Sequence, residues 1–220
     1  MKTYLWLFLV SLCPVVLSAL VYMAERTKAA RKMPYMAKQI LIGIMFGALA
    51  IMGTECGVKI EGAVINARDA SPICAGLLFG APAGIIAGVI GGVERWFAVF
   101  WGAGEYTRLA CSISTVLAGV FAAVLRKYMF DNKKPRWHYC LATAIITEVI
   151  HMLMIFLTNM SDVHTAFSFV RACSLPMVAI NGLSVMLAGA LLSLLSEKER
   201  KSTRHNLKNI SQSFQRWLLI

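Results

Sequence analysis

The fold is decided by residues 66–95, which read NARDASPICAGLLFGAPAGIIAGVIGGVER. Glycines fall at every fourth position of this stretch, which places small residues on one helix face and lets a neighbouring helix approach closely. These glycines are Gly76, Gly80, Gly84, Gly88 and Gly92. Arg68 and Arg95 flank the apolar part. Charged groups near membrane helix ends are costly and often mark a pathway or a ligand site. We therefore interpret the segment as the centre of a membrane-embedded binding site.

Composition indicates a membrane protein with several spans. The chain has 220 residues, 58% of them hydrophobic and 15% charged, and its mean hydropathy of +0.67 argues against a soluble or disordered chain. The net charge of +11 comes from short basic runs between apolar stretches, which are typical of cytoplasmic anchors and not of nucleic-acid binding. The six cysteines are scattered singly, so we expect no disulfide framework, no metal site and no cofactor.

Six apolar stretches are each about long enough to cross a hydrocarbon core of roughly 30 Å. They cover 3–23, 37–54, 71–101, 107–125, 138–158 and 172–195. The first is too long for a signal peptide and is followed by four basic residues, which favours a retained anchor with its N-terminus outside. Three strongly basic segments are expected in the cytoplasm, the last of them at the C-terminus: 24–36, 126–137 and 196–220.

These assignments conflict in one place. Two cytoplasmic segments must be separated by an even number of crossings, yet three apolar stretches lie between 24–36 and 126–137. A break at Ala81-Pro82 resolves the conflict, because proline removes a backbone donor and ends a helix. Residues 69–80 would then enter as a half-spanning helix about 18 Å long, and residues 83–101 would return. We predict an all-α polytopic membrane bundle of six to seven helices, including this short one.

Side chains near the outer face suit a small carboxylate. Arg68 and Arg95 offer planar, bidentate donors. Cys111 and Ser114 are three residues apart and share one helix face. The predicted ligand-binding residues are Asn66, Arg68, Arg95, Cys111 and Ser114.

The same arginines also allow a purely structural interpretation. Arg68 would then pair with Asp69 or Glu61, and Arg95 would pair with Glu94. Spacing alone leaves both interpretations open.

Glu148 and His151 lie three residues apart near the middle of the stretch 138–158. A carboxylate at that depth costs about 2.5–3.5 kcal/mol on insertion scales and requires a partner, which we expect to be His151 or Asn181. No HExxH, GxSxG or Walker motif occurs, so a structural hydrogen-bonded pair is favoured over a catalytic one. We predict that Glu148, His151 and Asn181 support the site and that the chain is not an enzyme.

Several short motifs together resemble the LytS-type five-transmembrane receptor domain over residues 33–195. They are NAR at 66–68, AGLLFGAP at 75–82, GVIGGVER at 88–95, STVLAG at 114–119, EVIHM at 148–152, LPM at 175–177 and NG at 181–182. The resemblance implies the sensory input domain of bacterial two-component histidine kinases linked to cell-wall turnover or carboxylate uptake, located in the plasma membrane. In relatives such a domain precedes diguanylate cyclase modules instead.

The sequence also resembles one branch of this family, whose members sense extracellular pyruvate through two arginines, a cysteine and a serine. By motif these correspond here to Arg68, Arg95, Cys111 and Ser114. The partners that we expect are a small anion such as pyruvate, the lipid bilayer, a second copy of the chain, and a cytoplasmic kinase or response regulator.

The predicted organisation has three parts. Residues 1–32 form an anchor with a basic connection, residues 33–195 form the sensor domain, and residues 196–220 form a basic amphipathic tail. Because the chain stops at Ile220, we expect the family's output domain, and with it kinase activity, to be absent. The alternative function is the substrate-binding subunit of an energy-coupling-factor transporter, with Gly43 and Gly47 available to dock a coupling subunit.

Overall fold

A computed structural model describes residues 2–60, 63–102 and 104–218, with side chains described except at 2–4, 59–60, 63, 205–206 and 208–218. Its helices are α1 (Lys2–Ser11), α2 (Cys13–Ala24), α3 (Lys28–Lys32), α4 (Tyr35–Glu55), α5 (Ala70–Cys74), α6 (Ala81–Phe97), α7 (Arg108–Val124), α8 (Trp137–Thr158) and α9 (Val163–Leu218). A small antiparallel hairpin, which the sequence did not predict, joins β1 (Val58–Ile60) to β2 (Ala63–Ile65).

Six helical segments of the described chain are long and apolar enough to cross a membrane. They are Leu5–Ala24, Tyr35–Glu55, Ala81–Trp101, Arg108–Met129, Trp137–Thr158 and Met160–Arg204. The apolar segment Ala70–Phe79 is shorter. The prediction of an all-α polytopic bundle with one short helix is confirmed.

The reversal between the short helix and α6 lies at Gly80, one residue before the predicted break. Helix α5 continues as a π-helical turn, Ala75–Phe79, and Gly80 then takes a φ of 156°, which residues with side chains rarely adopt. Pro82 lies in the first turn of α6. A backbone N–H at that position would have no hydrogen-bond partner within the helix, so proline costs no helical hydrogen bond there. Glycine therefore ends the short helix, and proline starts the next one.

Gln39 of α4 compensates for the broken backbone at this reversal. Its Nε2 donates to the Phe79 carbonyl at 3.2 Å, and its Oε1 accepts from the Ala83 N–H at 3.3 Å. Gln39 is buried. Because lipid offers no hydrogen-bond partners, non-helical backbone inside a membrane needs such protein groups. One glutamine thus connects both sides of the break.

The five regularly spaced glycines do not form one face of one helix, because the break at Gly80 divides them. Gly76 lies in the short helical segment and meets Ala122 and Ala123 of α7. Gly84 of α6 faces Gly76, and a Cβ added there would lie 2.5 Å from the Gly76 Cα. Gly88 and Gly92 pack on α7. The glycines therefore hold the short helix, α6 and α7 against one another.

Gly43 and Gly47 of α4 also have partners within the bundle. A Cβ added at Gly43 would lie 2.7 Å from Ile86, and one at Gly47 would lie 2.8 Å from Ile90. Both isoleucines belong to α6. The surface that the transporter hypothesis assigns to a coupling subunit is therefore occupied by the chain's own helix.

The last helix is much longer than the predicted span of 172–195. Helix α9 is continuous from Val163 to Leu218 and contains Pro176. It packs along α8 and contacts α2 and α5. The predicted amphipathic face of the tail falls mostly on side chains outside the described set. Its backbone, up to Leu218, continues the helix that contacts the core of the bundle.

The predicted cytoplasmic segments meet at one end of the bundle, which we call the basic end. Arg26 forms an ion pair with Glu199, with Nε 2.9 Å from Oε1. Tyr22 Oη lies 3.4 Å from Glu199 Oε2, and Lys134 Nζ lies 4.4 Å from the Tyr22 ring centre. Residues of all three basic segments, or of the helices next to them, are thus in contact. Segments that lie on the same side of a membrane can meet in this way.

Candidate ligand-binding site

The opposite end carries most of the buried charged groups, and we call it the site end. Here α4, α6 and α8 end, α7 and α9 begin, and the hairpin leads into α5. Asn181 of α9 fixes the connection: its Nδ2 donates to the Asn66 carbonyl at 3.2 Å, and its Oδ1 accepts from the Ala70 N–H at 3.0 Å. Asn181 therefore positions the residues between Asn66 and Ala70, and it is not the partner of Glu148.

Arg68 and Asp69 are completely buried and bonded to each other. Arg68 Nε lies 3.3 Å from Asp69 Oδ1 and donates to Thr115 Oγ1 at 2.6 Å. Thr115 donates in turn to Asp69 Oδ1 at 2.7 Å. The structural pairing of Arg68 with Asp69 is thus present, whereas the alternative partner, Glu61, lies outside the described residues. Both terminal nitrogens of Arg68 have no hydrogen-bond partner in the described part of the chain.

Arg95 is anchored by the loop that precedes α7 and not by Glu94. Its Nη2 donates to the Gly104 carbonyl at 2.8 Å and lies 3.2 Å from Thr107 Oγ1. Its Nη1 is buried and has no partner among the described residues. The alternative structural interpretation, a pair of Arg95 with Glu94, is therefore absent from the ion pairs of the described chain.

A cavity of about 250 Å³ opens beside Arg95. Asn66, Arg95 and Trp101 line it, together with Thr54, Glu55, Gly57, Val64 and Gly102. Trp101 is held in place at the rim by its Nε1, which donates to Glu55 Oε1 at 2.6 Å. The cavity has room for a small organic molecule. It combines one guanidinium with a carboxamide, a hydroxyl and the Glu55 carboxylate, which accepts from Trp101.

Cys111, His151 and Asp69 form a chain of contacts below this cavity. Cys111 Sγ lies 3.3 Å from His151 Nε2, and His151 Nδ1 lies 2.9 Å from Asp69 Oδ2. Glu148 Oε2 is 3.7 Å from the same Nδ1, which is too long for a hydrogen bond. The Glu148 carboxylate is buried without a hydrogen-bond partner among the described residues. The expected hydrogen-bonded pair is thus not formed, although His151, one of the two expected partners, lies within ion-pair distance of Glu148.

Three of these side chains are of the types that bind metal ions. Asp69, Glu148 and His151 each present one ligand atom, and the atoms lie within 4.8 Å of one another. The expectation of no metal site rested on the spacing of the cysteines. That spacing does not bear on a group of two carboxylates and one histidine. Arg68, bonded to Asp69, places a fixed positive charge beside the group, which disfavours a cation there.

The structure brings most of the predicted ligand-binding residues to this end. Arg68 and Arg95 are both close enough to the Cys111 thiol to interact with it electrostatically. Ser114 is buried, and its hydroxyl has no partner within the described chain. Thr115 is a site residue that sequence reasoning missed. Thr115 follows Cys111 by four residues, which places both on one helix face. This spacing could have indicated Thr115 as a neighbour of the site.

Comparisons with known proteins agree on the nature of the chain. The model of the family described as 5TMR of 5TMR-LYT matches residues 21–195. The sensor histidine kinase YpdA of Escherichia coli is 29% identical over 125 residues, which cover 56% of this chain and 21% of that protein. The sensor histidine kinase BtsS of Escherichia coli is 27% identical over 147 residues, covering 65% of this chain and 25% of that protein.

A third relative is the sensor protein LytS of Bacillus cereus, 29% identical over 148 residues that cover 65% of this chain and 23% of that protein. The chain thus spans a quarter or less of the length of these relatives. No solved structure gives a significant match. Since the family model covers most of the chain, the chain belongs to the 5TMR-LYT family, the membrane sensory region of LytS-type sensor histidine kinases.

Proposed function

We propose that this chain is the sensory input module of a two-component-type receptor and that it binds a small extracellular carboxylate such as pyruvate. The ligand carboxylate would lie between Arg68 and Arg95, with Asn66, Cys111 and Ser114 around it. Binding would be relayed to a cytoplasmic kinase or cyclase output. Family membership supports the signalling role, and the geometry of the site end supports the class of ligand.

The observation that carries the proposal is a surplus of buried donors. Arg68 Nη1 and Nη2, Arg95 Nη1 and the Ser114 hydroxyl are buried without a partner among the described residues. A buried charged donor left unpaired is costly. A carboxylate bridging the two guanidinium groups would supply charge-assisted hydrogen bonds and remove that cost. Asp69 already engages Nε of Arg68, which leaves its outer nitrogens for a ligand.

Helix α9 supports a route for the signal. It carries Asn181, which bonds the connection next to Arg68, and it continues without interruption to Leu218. A shift of the connection on ligand binding would therefore move a helix that also contacts Arg26 at the basic end through Glu199. Packed helix interfaces of this kind adopt discrete arrangements more readily than they deform continuously.

The membrane orientation belongs to the same proposal. The site end would face outward and the basic end inward, with the N-terminus outside and the C-terminus in the cytoplasm, because basic segments are retained on the cytoplasmic side. Residues 1–32 would anchor the sensor domain of 33–195. Residues 196–220 would lead to the output and promote pairing of two chains.

Thermal unfolding of the detergent-purified chain tests the binding site. We expect pyruvate to raise the melting temperature of the unmodified protein, and Arg68→Ala and Arg95→Ala to abolish this shift. Arg108→Gln is the matched control, because Arg108 lies near the site but stacks on Trp96, with its Cζ 4.2 Å from the ring centre. A pyruvate shift that survives both alanine substitutions would exclude the two-arginine site.

A further inference from the structure

We propose that Cys111 is a nucleophile activated by His151 and Asp69, and that it adds reversibly to the ketone carbon of a 2-oxo acid held by the two arginines. This inference rests on the proposed function, since it names the substrate class of the same site. It goes further in one respect: the cysteine would form a covalent bond with the ligand instead of only contacting it.

The three side chains are ordered as a nucleophile, a base and an orienting acid. The thiol of Cys111 lies 3.3 Å from His151 Nε2, the nitrogen positioned to accept its proton. The other ring nitrogen lies 2.9 Å from Asp69 Oδ2, so the carboxylate fixes the imidazole and stabilises its protonated form. This arrangement activates cysteine and serine nucleophiles on unrelated folds and is recognised by geometry.

Asp69 is itself held rigidly, which the role of an orienting acid requires. Its Oδ1 accepts hydrogen bonds from Thr115 at 2.7 Å and from Arg68 at 3.3 Å, and its Oδ2 faces the imidazole. Each carboxylate oxygen thus has its own partners. The imidazole cannot rotate without losing both the carboxylate and the thiol.

Cys111 differs from the other cysteines whose surroundings are described. Among those residues it is the one cysteine with an imidazole as hydrogen-bond partner. Cys173 offers the closest comparison: it is also buried and lines the same small cavity, but its thiol contacts Met152 Sδ at 3.8 Å. Both cysteines are therefore buried, but only Cys111 has a base, His151, as its hydrogen-bond partner.

The neighbouring charges specify the electrophile. Both guanidinium groups interact electrostatically with the Cys111 thiol, so a carboxylate that they bind would lie near the sulfur. In a 2-oxo acid the electrophilic ketone carbon is directly bonded to that carboxylate. A cavity of about 20 Å³, lined by Cys111, His151 and Thr107, has room for about one water-sized group, such as the ketone oxygen. Val64 lines both this cavity and the larger one beside Arg95.

The step is an addition that needs no further reactant. The Cys111 proton passes to His151 Nε2, and the sulfur electron pair forms a bond to the ketone carbon. The π electrons of the C=O bond move to oxygen, and His151 returns the proton to that oxygen. The product is a hemithioketal, nothing is oxidised or reduced, and reversal of the same transfers releases the ligand. Such reversibility suits a sensor.

Carbon-13 NMR of pyruvate labelled at C2 tests the bond directly in the detergent-purified chain. With the unmodified protein we expect the bound C2 resonance to leave the ketone region and appear among tetrahedral carbons. Cys111→Ser should lose the tetrahedral signal. The control Cys140→Ser should keep it, because Cys140 is also buried but packs on Gly189 and lines neither cavity. Retention of the tetrahedral signal in Cys111→Ser would overturn the assignment of the nucleophile.

The outcome separates this inference from the proposed function. If pyruvate raises the melting temperature but its C2 stays a ketone in the bound state, the covalent step is wrong and the receptor proposal stands. If pyruvate gives neither stabilisation nor a tetrahedral signal, both are wrong.

Alkylation kinetics keep the inference testable if Cys111→Ser does not fold. In the unmodified chain, mass spectrometry should show Cys111 reacting with iodoacetamide faster than Cys173. His151→Gln should slow Cys111 by on the order of a hundredfold, the lower range for a general base, and change the rate of Cys173 far less. Equal slowing of both cysteines would indicate a structural role for His151 and contradict the inference.

Discussion

The two ends of the bundle use the same kinds of residue for different purposes. At the basic end, Arg26 forms an ion pair with Glu199, and the two side chains are 36% and 48% exposed. At the site end, Arg68 pairs with Asp69 and both side chains are fully buried, while both terminal nitrogens of Arg68 remain without a partner in the described chain. An exposed pair whose charges are matched ties segments together weakly. The buried arginine at the site end keeps spare donors, as the proposed anion site requires.

The comparison predicts that breaking the buried pair has the largest effect on stability. Asp69→Asn removes one partner of a buried ion pair that also bonds Thr115 and His151, which costs about 3–5 kcal/mol. We expect a strongly lowered melting temperature in detergent and loss of the pyruvate response.

Glu148→Gln is the matched control for this prediction. Glu148 is equally buried, but its oxygens have no hydrogen-bond partner among the described residues. The neutral amide removes the cost of burying a charge, so we expect a melting temperature that is unchanged or higher. Equal losses for the two variants would show that burial alone, and not pairing, governs this end.

Substitution of the glycines that pack the short helix against α6 should have the next largest effect on stability. Gly84→Val places side-chain atoms against the Gly76 backbone, and overpacking of this kind costs about 1–3 kcal/mol. Gly104→Ala is the control, because a Cβ there meets nothing within 4 Å. Thermal unfolding of both variants checks the expectation. If Gly84→Val were as stable as Gly104→Ala, the close approach of the short helix to α6 would be wrong.

The smallest effect is expected at the basic end. Arg26→Gln removes an ion pair that is partly exposed on both sides, and such pairs contribute about 0–1 kcal/mol and weaken with salt. The melting temperature should therefore fall only slightly, with a smaller difference at high ionic strength. A loss as large as that of Asp69→Asn would remove the distinction between the two ends.

The sequence predicted those features that depend on local chemistry. Pro82 indicated the reversal and the parity of the basic segments required it, although the chain turns at Gly80. The apolar stretches located the spans, although Pro14 divides the first into α1 and α2, and the last merges with the tail into α9. These differences arise because hydropathy shows where a helix is apolar and not where its backbone continues.

Contacts between distant residues were harder to predict. Gln39 bonds to both sides of the break from 40 positions away in the chain, and Thr115 reaches Asp69 across 46. The structural alternative paired Arg95 with its neighbour Glu94, but the loop before α7 supplies the partners of Arg95. In each case the side chain was visible in the sequence, whereas its partner depended on how the helices pack.

Equilibrium dialysis of labelled pyruvate against the detergent-purified chain tests the central claim most directly. The account predicts saturable binding of one molecule per chain, a Kd that rises by about tenfold or more in Arg95→Gln, as loss of a charged hydrogen bond implies, and an unchanged Kd in Arg108→Gln. Equal Kd values in the unmodified chain and Arg95→Gln would contradict it.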